Sequence, residues 1–390
     1  MRLGIASLVT AYVLSQFYRA FLAVLAPTLK AELGASAEDL ALASGLWFLT
    51  FAAMQLPVGW ALDRIGPRRT SAVLLALGGG GGALVFATAQ GPLAVTLAMG
   101  LIGIGCAPVL MSSYYIFARL YRPAVFATLA TATIGIGSLG NIAGSLPLAR
   151  AIEAFGWRGT LGATAALTLL VAALIALAVR DPERAEGHAE GSVLDLLKLR
   201  ALWPILAMMA VCYLPAGALR GLWIGPYYAD VFAANTETVG RATLVMGLAM
   251  VAGNFAYGPL DRLFRTRKRV IFTGNLICAL SLLALWLRPE AGGWFTLALL
   301  SAMGFFGSSF GMVIAHGRAF FPPHLVGRGV TLLNLFGIGS VGLVQLLTGR
   351  LHAAIAPLPP SAPYAALFLF FGATLLFGCL IYLFAKDRTD

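Results

Sequence analysis

Long apolar segments recur from one end of the chain to the other, and they constrain its fold more than any other feature. A hydrocarbon core about 30 Å thick is crossed by a helix of about 20 mostly apolar residues. The mean hydropathy is +0.87, and the chain of 390 residues is 59% hydrophobic and only 11% charged, far from the usage of soluble domains. Because the short alternating strands of a membrane barrel do not occur, the sequence predicts an all-α membrane protein.

Turn residues and charges divide the chain into twelve predicted transmembrane helices. The expected bounds are 3–29, 40–62, 70–89, 93–118, 124–149, 160–179, 201–229, 240–260, 270–288, 293–317, 325–349 and 362–385. One connection is long and charged enough to be a linker. We therefore expect two pseudo-symmetric bundles of six helices, with an N-terminal bundle at 1–179, a cytoplasmic linker at 180–200 and a C-terminal bundle at 201–390.

Lysine and arginine are distributed unevenly between the two predicted sides of the membrane. Of the 27 basic residues, nineteen fall in connections or span ends on the side of the amino terminus, six fall in those on the other side, and two lie deep inside spans. This asymmetry predicts a multi-pass protein of a bacterial-type cytoplasmic (inner) membrane with both termini in the cytoplasm. The formal charge of +11 thus reflects topology, and we expect the lipid bilayer, not nucleic acid, as the partner of these charges.

The two halves of the chain repeat each other at a nearly constant offset. Arg19 returns as Arg220, 201 positions later, and the glycine-rich run at 135–140 returns at 337–342, 202 positions later. Small residues in such runs let helices pack closely. Repeated halves with a site near the membrane midplane are typical of secondary transporters.

Arg19 and Arg220 are the two basic residues that lie inside predicted spans and away from the span ends. An arginine at the centre of a span costs about 2.5–3.5 kcal/mol on insertion scales and by default marks a functional site. The alternative is snorkelling to the membrane interface. At 1.5 Å per residue, Arg19 lies about 4–5 Å past the midpoint of its span, which is far from the interface, whereas Arg220 lies about 8 Å past its midpoint, where snorkelling stays open.

Aromatic and polar residues accompany each arginine on its helix face. Positions seven apart share a face, which predicts two substrate-binding stripes, one of Tyr12, Gln16 and Arg19 and the other of Tyr213, Arg220, Trp223 and Tyr227. Two guanidinium groups without an evident intramembrane carboxylate favour an anion, either a phosphate or a carboxylate. Further candidates for the substrate-binding cavity, each equally able to bond a neighbouring helix, are Trp47, Ser112 and Tyr115.

The connection at 59–69 reads GWALDRIGPRR, and a weaker copy begins at 258. It resembles the signature loop of the major facilitator superfamily, and the twelve spans and the repeat extend this resemblance to the whole chain. The resemblance implies a cytoplasmic gate, in which Gly59 permits close helix approach and Asp63 contacts neighbouring helix ends. The alternative is that the arginines of this loop serve only as signals that orient the chain in the membrane. The implied gating residues are Gly59, Asp63, Arg64, Gly66, Arg68, Asp261 and Arg262.

An arginine eight residues before a proline in the first helix, here Arg19 and Pro27, with a partner arginine in the seventh helix, is similar to the organophosphate:phosphate antiporter branch of that superfamily. There the matching arginines clamp the substrate phosphate, and the resemblance implies this role for Arg19 and Arg220. Carboxylate symporters of the superfamily also carry an arginine in the first helix, so a phosphate ester and a carboxylate both remain open.

These features together predict a monomeric secondary active transporter of a small organic anion that works by alternating access as a symporter or antiporter. Two alternatives remain, namely an importer or exporter of an aromatic or drug-like compound, and a non-transporting sensor. His316 could couple protons, although its place near the cytoplasmic end of a span, close to Arg318, favours a structural role. We expect no enzyme, cofactor or metal, because the glycines at 78–82 lack a following Lys-Ser/Thr and the cysteines lack metal-ligand spacing.

Overall fold

The computed structural model of the protein describes residues 2–182, 193–322 and 325–388. Within these ranges the chain forms helices and no strand. Ten helices are long and apolar enough to cross a membrane, and an eleventh span is a pair of helices bent by 50°. The remaining predicted span corresponds to the helix Pro123–Ala143, whose part Ala132–Ala143 is a shorter apolar helix. The prediction of an all-α membrane protein is confirmed.

The first of two compact units holds six spans and also the short segment Asn235–Arg241. Its helices are α1 (Arg2–Ala20 and Leu22–Leu33), α2 (Ala37–Ala53 and Gln55–Arg64), α3 (Pro67–Leu74, Leu75–Gly80 and Gly81–Ala87), α4 (Pro92–Cys106 and Pro108–Leu120), α5 (Pro123–Ala143) and α6 (Leu146–Ala178). The last helix contains a break at Gly156, whose φ of +69° is open to glycine. The fifth predicted span therefore continues into the start of α6, and the sixth begins after the break.

The second unit holds the other six spans, except that the segment Asn235–Arg241, where the eighth span begins, belongs to the first unit. Its helices are α7 (Trp203–Cys212, Leu214–Ala218, Leu219–Trp223 and Ile224–Phe232), α8 (Thr236–Phe264), α9 (Arg267–Leu287), α10 (Gly293–Phe306 and Phe310–Arg318), α11 (Val326–Ile355) and α12 (Ala362–Tyr382). Buried side chains of α7, α9, α11 and α12 form a common core that includes Met209, Ile271, Leu333 and Tyr382.

The two helices that carry the intramembrane arginines, α1 and α7, depart from regular α geometry at or near the arginine. The bend of α1 follows Ala20, a few residues before Pro27, which cannot donate a hydrogen bond to Ala23 and crowds its carbonyl. In α7, residues Leu219–Trp223 form a π-helical turn. Arg19 thus lies at a bend of its helix, and Arg220 lies in a π turn. Such π turns are frequent at functional sites.

Glycines bring several helices of the first unit into backbone contact. A Cβ on Gly105 of α4 would lie 2.0 Å from the backbone nitrogen of Gly79 in α3. A Cβ on Gly140 of α5 would lie 1.9 Å from the carbonyl oxygen of Val13 in α1. Only glycine permits such distances, and Gly140 therefore has the packing role expected of the glycine-rich run.

Two aspartates cap the helices that follow the charged loops, one in each half. Asp181, just after α6, accepts a hydrogen bond at 2.7 Å from the backbone N–H of Arg68 at the start of α3. Asp387, just after α12, accepts a hydrogen bond at 3.0 Å from the backbone N–H of Lys268 at the start of α9. A carboxylate at a helix amino terminus satisfies unpaired N–H groups and complements the helix dipole.

The connection between α2 and α3 uses its two glycines differently. Gly66 has a φ of +102°, and a Cβ there would lie 2.8 Å from the carboxylate of Asp181. Gly59 lies within the helix Gln55–Arg64, and a Cβ there would meet no atom within 4 Å. The close helix approach expected at Gly59 is thus not seen, because no neighbouring helix among the described residues comes within 4 Å of a Cβ at that position, and Gly66 is the glycine that the loop requires.

Replacing Gly66 with alanine is expected to lower the stability of the protein. The forced backbone conformation costs about 1–3 kcal/mol, and the new methyl group displaces Asp181 from its capping position. Thermal unfolding of the purified protein in detergent micelles measures the loss. The matched control is Gly59→Ala, which we expect to leave the melting temperature unchanged or slightly higher, since alanine is favoured over glycine inside a helix by about 0.5–1 kcal/mol. Equal effects of both substitutions would contradict this account.

The cap on α9 is expected to make stability depend on pH. Partial burial opposes ionisation of Asp387, but hydrogen bonds from the Thr266 hydroxyl and the Lys268 backbone outweigh it and lower the pKa of Asp387 below its ordinary value of 3.8. A lowered folded-state pKa gives stability that is fully present above 3.8 and lost as the pH falls through the folded-state value. Asp387→Asn should therefore unfold more easily than the wild type at neutral pH.

Unfolding curves at a series of pH values test this expectation. The difference between Asp387→Asn and the wild type should narrow once the pH falls below 3.8, the ordinary pKa, because the wild-type carboxylate then becomes protonated as well. A difference that stays constant down to acidic pH would show that Asp387 does not stabilise the fold through its charge.

Candidate functional site

Arg19 lies against two aromatic rings of α2. Its Cζ atom is 5.3 Å from the ring centroid of Trp47 and 5.4 Å from that of Phe51. The two rings are stacked on each other, with centroids 5.2 Å apart and planes 13° apart, since residues four apart share one face of a helix. The planar guanidinium is held by a cation–π interaction with both rings.

Two buried N–H groups of this cluster have no hydrogen-bond partner among the described residues. They are Nε of Arg19 and the indole Nε1 of Trp47, and Trp47 is only 1% exposed. No described carboxylate forms an ion pair with Arg19. Unsatisfied buried donors are rare and call for an explanation. The cluster offers one positive charge, two N–H donors and an aromatic wall, which suits a ligand that has acceptor oxygens and a ring.

Arg220 has different surroundings within the second unit. It is 5% exposed, and its Nε and Nη2 atoms both lie 3.2 Å from where a Cβ on Gly247 of α8 would be. The glycine thus makes room for the guanidinium to lie flat against α8. The repeat predicts equivalent positions for Arg19 and Arg220, but one arginine packs on aromatic rings and the other on a helix backbone.

The remaining residues of the first predicted stripe bond to each other. The amide Nε2 of Gln16 donates to the hydroxyl oxygen of Tyr12 at 2.8 Å, and the Tyr12 ring lies over Gly137 of α5, where a Cβ would come within 2.3 Å of it. In the second unit, the half-buried Tyr213 meets the ring of Phe310 edge to face at 5.4 Å. The structure thus joins the side chains of Tyr12 and Gln16, which precede Arg19 on the helix by seven and three residues.

Trp223 and Tyr227 are placed in the packing of the second unit. The indole Nε1 of Trp223 donates to Gln345 at 2.9 Å and to Thr348 at 3.1 Å, and the side chain is fully buried. The hydroxyl of Tyr227 donates to the carbonyl oxygen of Pro289 at 2.5 Å. The polar atoms of both residues are therefore satisfied by the protein itself, in contrast to the indole N–H of Trp47.

Ser112 and Tyr115 of α4 lie near the charged loop instead of beside Arg19. The Ser112 hydroxyl bonds that of Ser71 in α3 at 2.6 Å. Tyr115 lies under the guanidinium of Arg119, with 4.2 Å between Cζ and the ring centroid. Arg119 in turn approaches Asp63 at 3.8 Å, so the carboxylate of Asp63 meets the end of a neighbouring helix.

The structure shows few side-chain contacts for the other predicted gating residues that it describes. Arg64 is exposed, and the backbone N–H of Arg68 is bound by Asp181. In the Asp63–Arg119 pair, 68% of the Asp63 side chain and 25% of the Arg119 side chain are accessible, and a solvent-accessible pair at this distance is weak. The side chains of Asp261 and Arg262, predicted for the second copy of the loop, lie outside the described residues.

His316 joins α10 to the end of α12. Its Nδ1 atom lies 2.6 Å from the hydroxyl of Tyr382, and its Nε2 atom lies 2.9 Å from the carbonyl oxygen of Lys386. Since a carbonyl only accepts, Nε2 carries the proton and donates, and Nδ1 accepts from Tyr382. Both ring nitrogens are thus engaged in a buried link between two helices.

Two residues that contact the arginines were missed by the sequence reasoning. Phe51 could have been found, because it stands one helical turn after Trp47 and so shares its face. Gly247 gives no signal in the sequence, because nothing distinguishes it from the other glycines of the chain until α7 and α8 are seen packed together.

Comparisons with known proteins place the chain in a family. The sequence model of the Major Facilitator Superfamily matches residues 8–222, which is more than half of the chain. A gallate transporter of Pseudomonas putida is 32% identical over 168 residues. That match covers 42% of this chain and 35% of the relative, so the aligned part of the chain spans about a third of that protein.

Solved structures share the fold over almost the whole chain. A bacterial homologue of the human lysosomal transporter Spinster has a TM-score of 0.77 at 17% identity, covering 98% of this chain and 96% of its own. A D-xylose–proton symporter has a TM-score of 0.79 at 14% identity, covering 98% and 97%. These likenesses concern the fold alone, while the matching sequence model fixes the membership: the chain belongs to the Major Facilitator Superfamily of membrane transporters.

Proposed function

We propose that the protein carries a small organic anion, specifically an aromatic carboxylate, across the cytoplasmic membrane by alternating access. One observation carries this proposal, namely the pairing of Arg19 with Trp47 and Phe51. The cluster combines a fixed positive charge with two buried N–H donors that the described protein leaves unsatisfied. A bound acceptor group would satisfy both donors and compensate the charge.

The chemistry of the donors favours a carboxylate. A carboxylate has two oxygens in one plane and can take one hydrogen bond from the guanidinium and another from the indole. The stacked rings of Trp47 and Phe51 offer an apolar, flat wall for the ring of such a ligand. The similarity to a gallate transporter supports the same substrate class, because gallate is itself an aromatic carboxylate.

Arg220 is the proposed second anchor for the anion. Its place in a π turn and its burial over Gly247 hold the guanidinium in a fixed orientation. The Arg220 side chain therefore loses less conformational entropy when a ligand binds. We further propose that the α2–α3 loop acts as a cytoplasmic gate through Asp63 and Arg119, and that both termini lie in the cytoplasm, as the charge asymmetry predicts.

An alternative substrate class is a neutral aromatic compound, which the stacked rings of Trp47 and Phe51 favour. Ligand binding to purified protein in detergent separates the two classes. Gallate and its methyl ester share the same ring, but only gallate carries a negative charge. We expect gallate to raise the melting temperature and the methyl ester to have little effect. Equal effects would favour the neutral class, and stabilisation by glycerol 3-phosphate alone would favour a phosphate ester.

Conservative substitutions of the cluster test the roles of the two donors. Arg19→Lys keeps the charge but loses the planar fork, and Trp47→Phe keeps a ring but removes the indole N–H. Each loss of a charge-assisted or buried hydrogen bond is worth about 1.5–3 kcal/mol, so the affinity for gallate should fall about tenfold or more. Uptake of radiolabelled gallate into proteoliposomes measures the accompanying loss of transport.

Arg288→Lys is the matched control, because Arg288 is an exposed arginine at the end of α9. It should bind and transport gallate as the wild type does. If Arg19→Lys and Arg220→Lys both keep wild-type transport and affinity for every anion carried, the arginines do not anchor the substrate.

A further inference from the structure

A cavity of about 340 Å³ lies between α8, α9 and α10 in the second unit. Its walls are mostly apolar, and they include Leu260 and Phe264 of α8, Ile277 of α9, and Phe305 and Phe306 of α10. Among the described residues, the polar side chains that line it are Thr266, Arg269 and Thr273, at or near the start of α9, and Tyr257 of α8. The cavity thus has a long apolar part and one basic end.

Tyr257 closes the inner wall of the cavity. Its hydroxyl donates to the carbonyl oxygen of Phe306 at 2.7 Å, and a Cβ on Gly274 of α9 would lie 1.7 Å from that hydroxyl oxygen. Tyr257 therefore crosses from α8 to α10 over a glycine of α9. On the other side the cavity is bounded by Phe264, which is 59% exposed. The cavity is a groove open to the surroundings of the unit, not a channel through it.

The basic residues that begin α9 have different tasks. The guanidinium of Arg267 donates to the carbonyl oxygen of Ala315 at 3.2 Å, and the ammonium of Lys268 donates to that of Leu383 at 2.6 Å. Both side chains thus bond neighbouring helix ends. The side chain of Arg269 is exposed and makes no hydrogen bond or ion pair among the described residues, and it lines the groove.

We propose that this groove binds one anionic phospholipid. The phosphate would lie at Arg269 and accept a hydrogen bond from the hydroxyl of Thr273, and an acyl chain would lie along Ile277 and Phe305. The charge asymmetry predicts that this end of α9 faces the cytoplasm, where the leaflet carries anionic lipids and basic pockets between helices bind their head groups. Free phosphate would leave the apolar length of the groove unused, which is why a lipid is the occupant.

Native mass spectrometry of the full-length protein in detergent tests the proposal with defined lipids. Dioleoylphosphatidylglycerol should bind more tightly than dioleoylphosphatidylcholine, which has the same chains but a zwitterionic head group. Arg269→Ala should weaken the phosphatidylglycerol complex about fivefold, the change that corresponds to about 1 kcal/mol for one basic residue near an anionic lipid surface. Arg288→Ala, at the opposite end of the same helix, should leave binding unchanged.

Two further arms keep the test decisive. Ile277→Trp fills the apolar part of the groove and should weaken the binding of both lipids, and Arg269→Gln serves if the alanine variant is not monodisperse on gel filtration. Inorganic phosphate should fail to displace the lipid. The proposal is overturned if the wild type binds both lipids equally, if Arg269→Ala and Arg288→Ala have the same effect, or if phosphate alone displaces the lipid.

Discussion

In a hydrocarbon environment a backbone N–H or C=O group without a partner costs several kcal/mol, so a spanning segment keeps regular helical hydrogen bonds wherever it can. Departures from that regularity are therefore informative. In this protein they include the bend of α1 after Ala20, the π turn Leu75–Gly80 of α3, the π turn of α7, and the break at Gly156. Arg19 stands directly beside the first of them, and Arg220 lies within the π turn of α7.

The same constraint explains the role of small residues and capping carboxylates. Gly105 and Gly140 let helix backbones touch, which replaces the hydrophobic drive that lipid does not supply. At the helix ends, where the backbone ladder runs out, Asp181 and Asp387 supply the missing acceptors. The two halves of the chain thus share the same kind of helix cap, although the repeat in the sequence did not single out the two aspartates.

The chemistry of the candidate site follows from what surrounds a buried charge. Arg19 is stabilised by the faces of Trp47 and Phe51, yet these rings accept no conventional hydrogen bond, and two donors stay unsatisfied. Trp223 shows the opposite arrangement, because Gln345 and Thr348 satisfy its indole fully. A tryptophan thus contributes to packing in the second unit and belongs to a candidate binding site in the first.

The sequence by itself determined the class of fold, the twelve spans, the repeat of the halves and the presence of two intramembrane arginines, because apolar length and charge are properties of local sequence. It also pointed to Trp47, and Phe51 one turn later was within reach. Only the tertiary structure decided that Arg19 meets these rings and that Arg220 lies on Gly247. It also decided that a Cβ on Gly59 would meet no described residue within 4 Å, and that His316 links α10 to α12. Those facts depend on which helix faces pack together, and helix packing joins residues that are far apart in the chain.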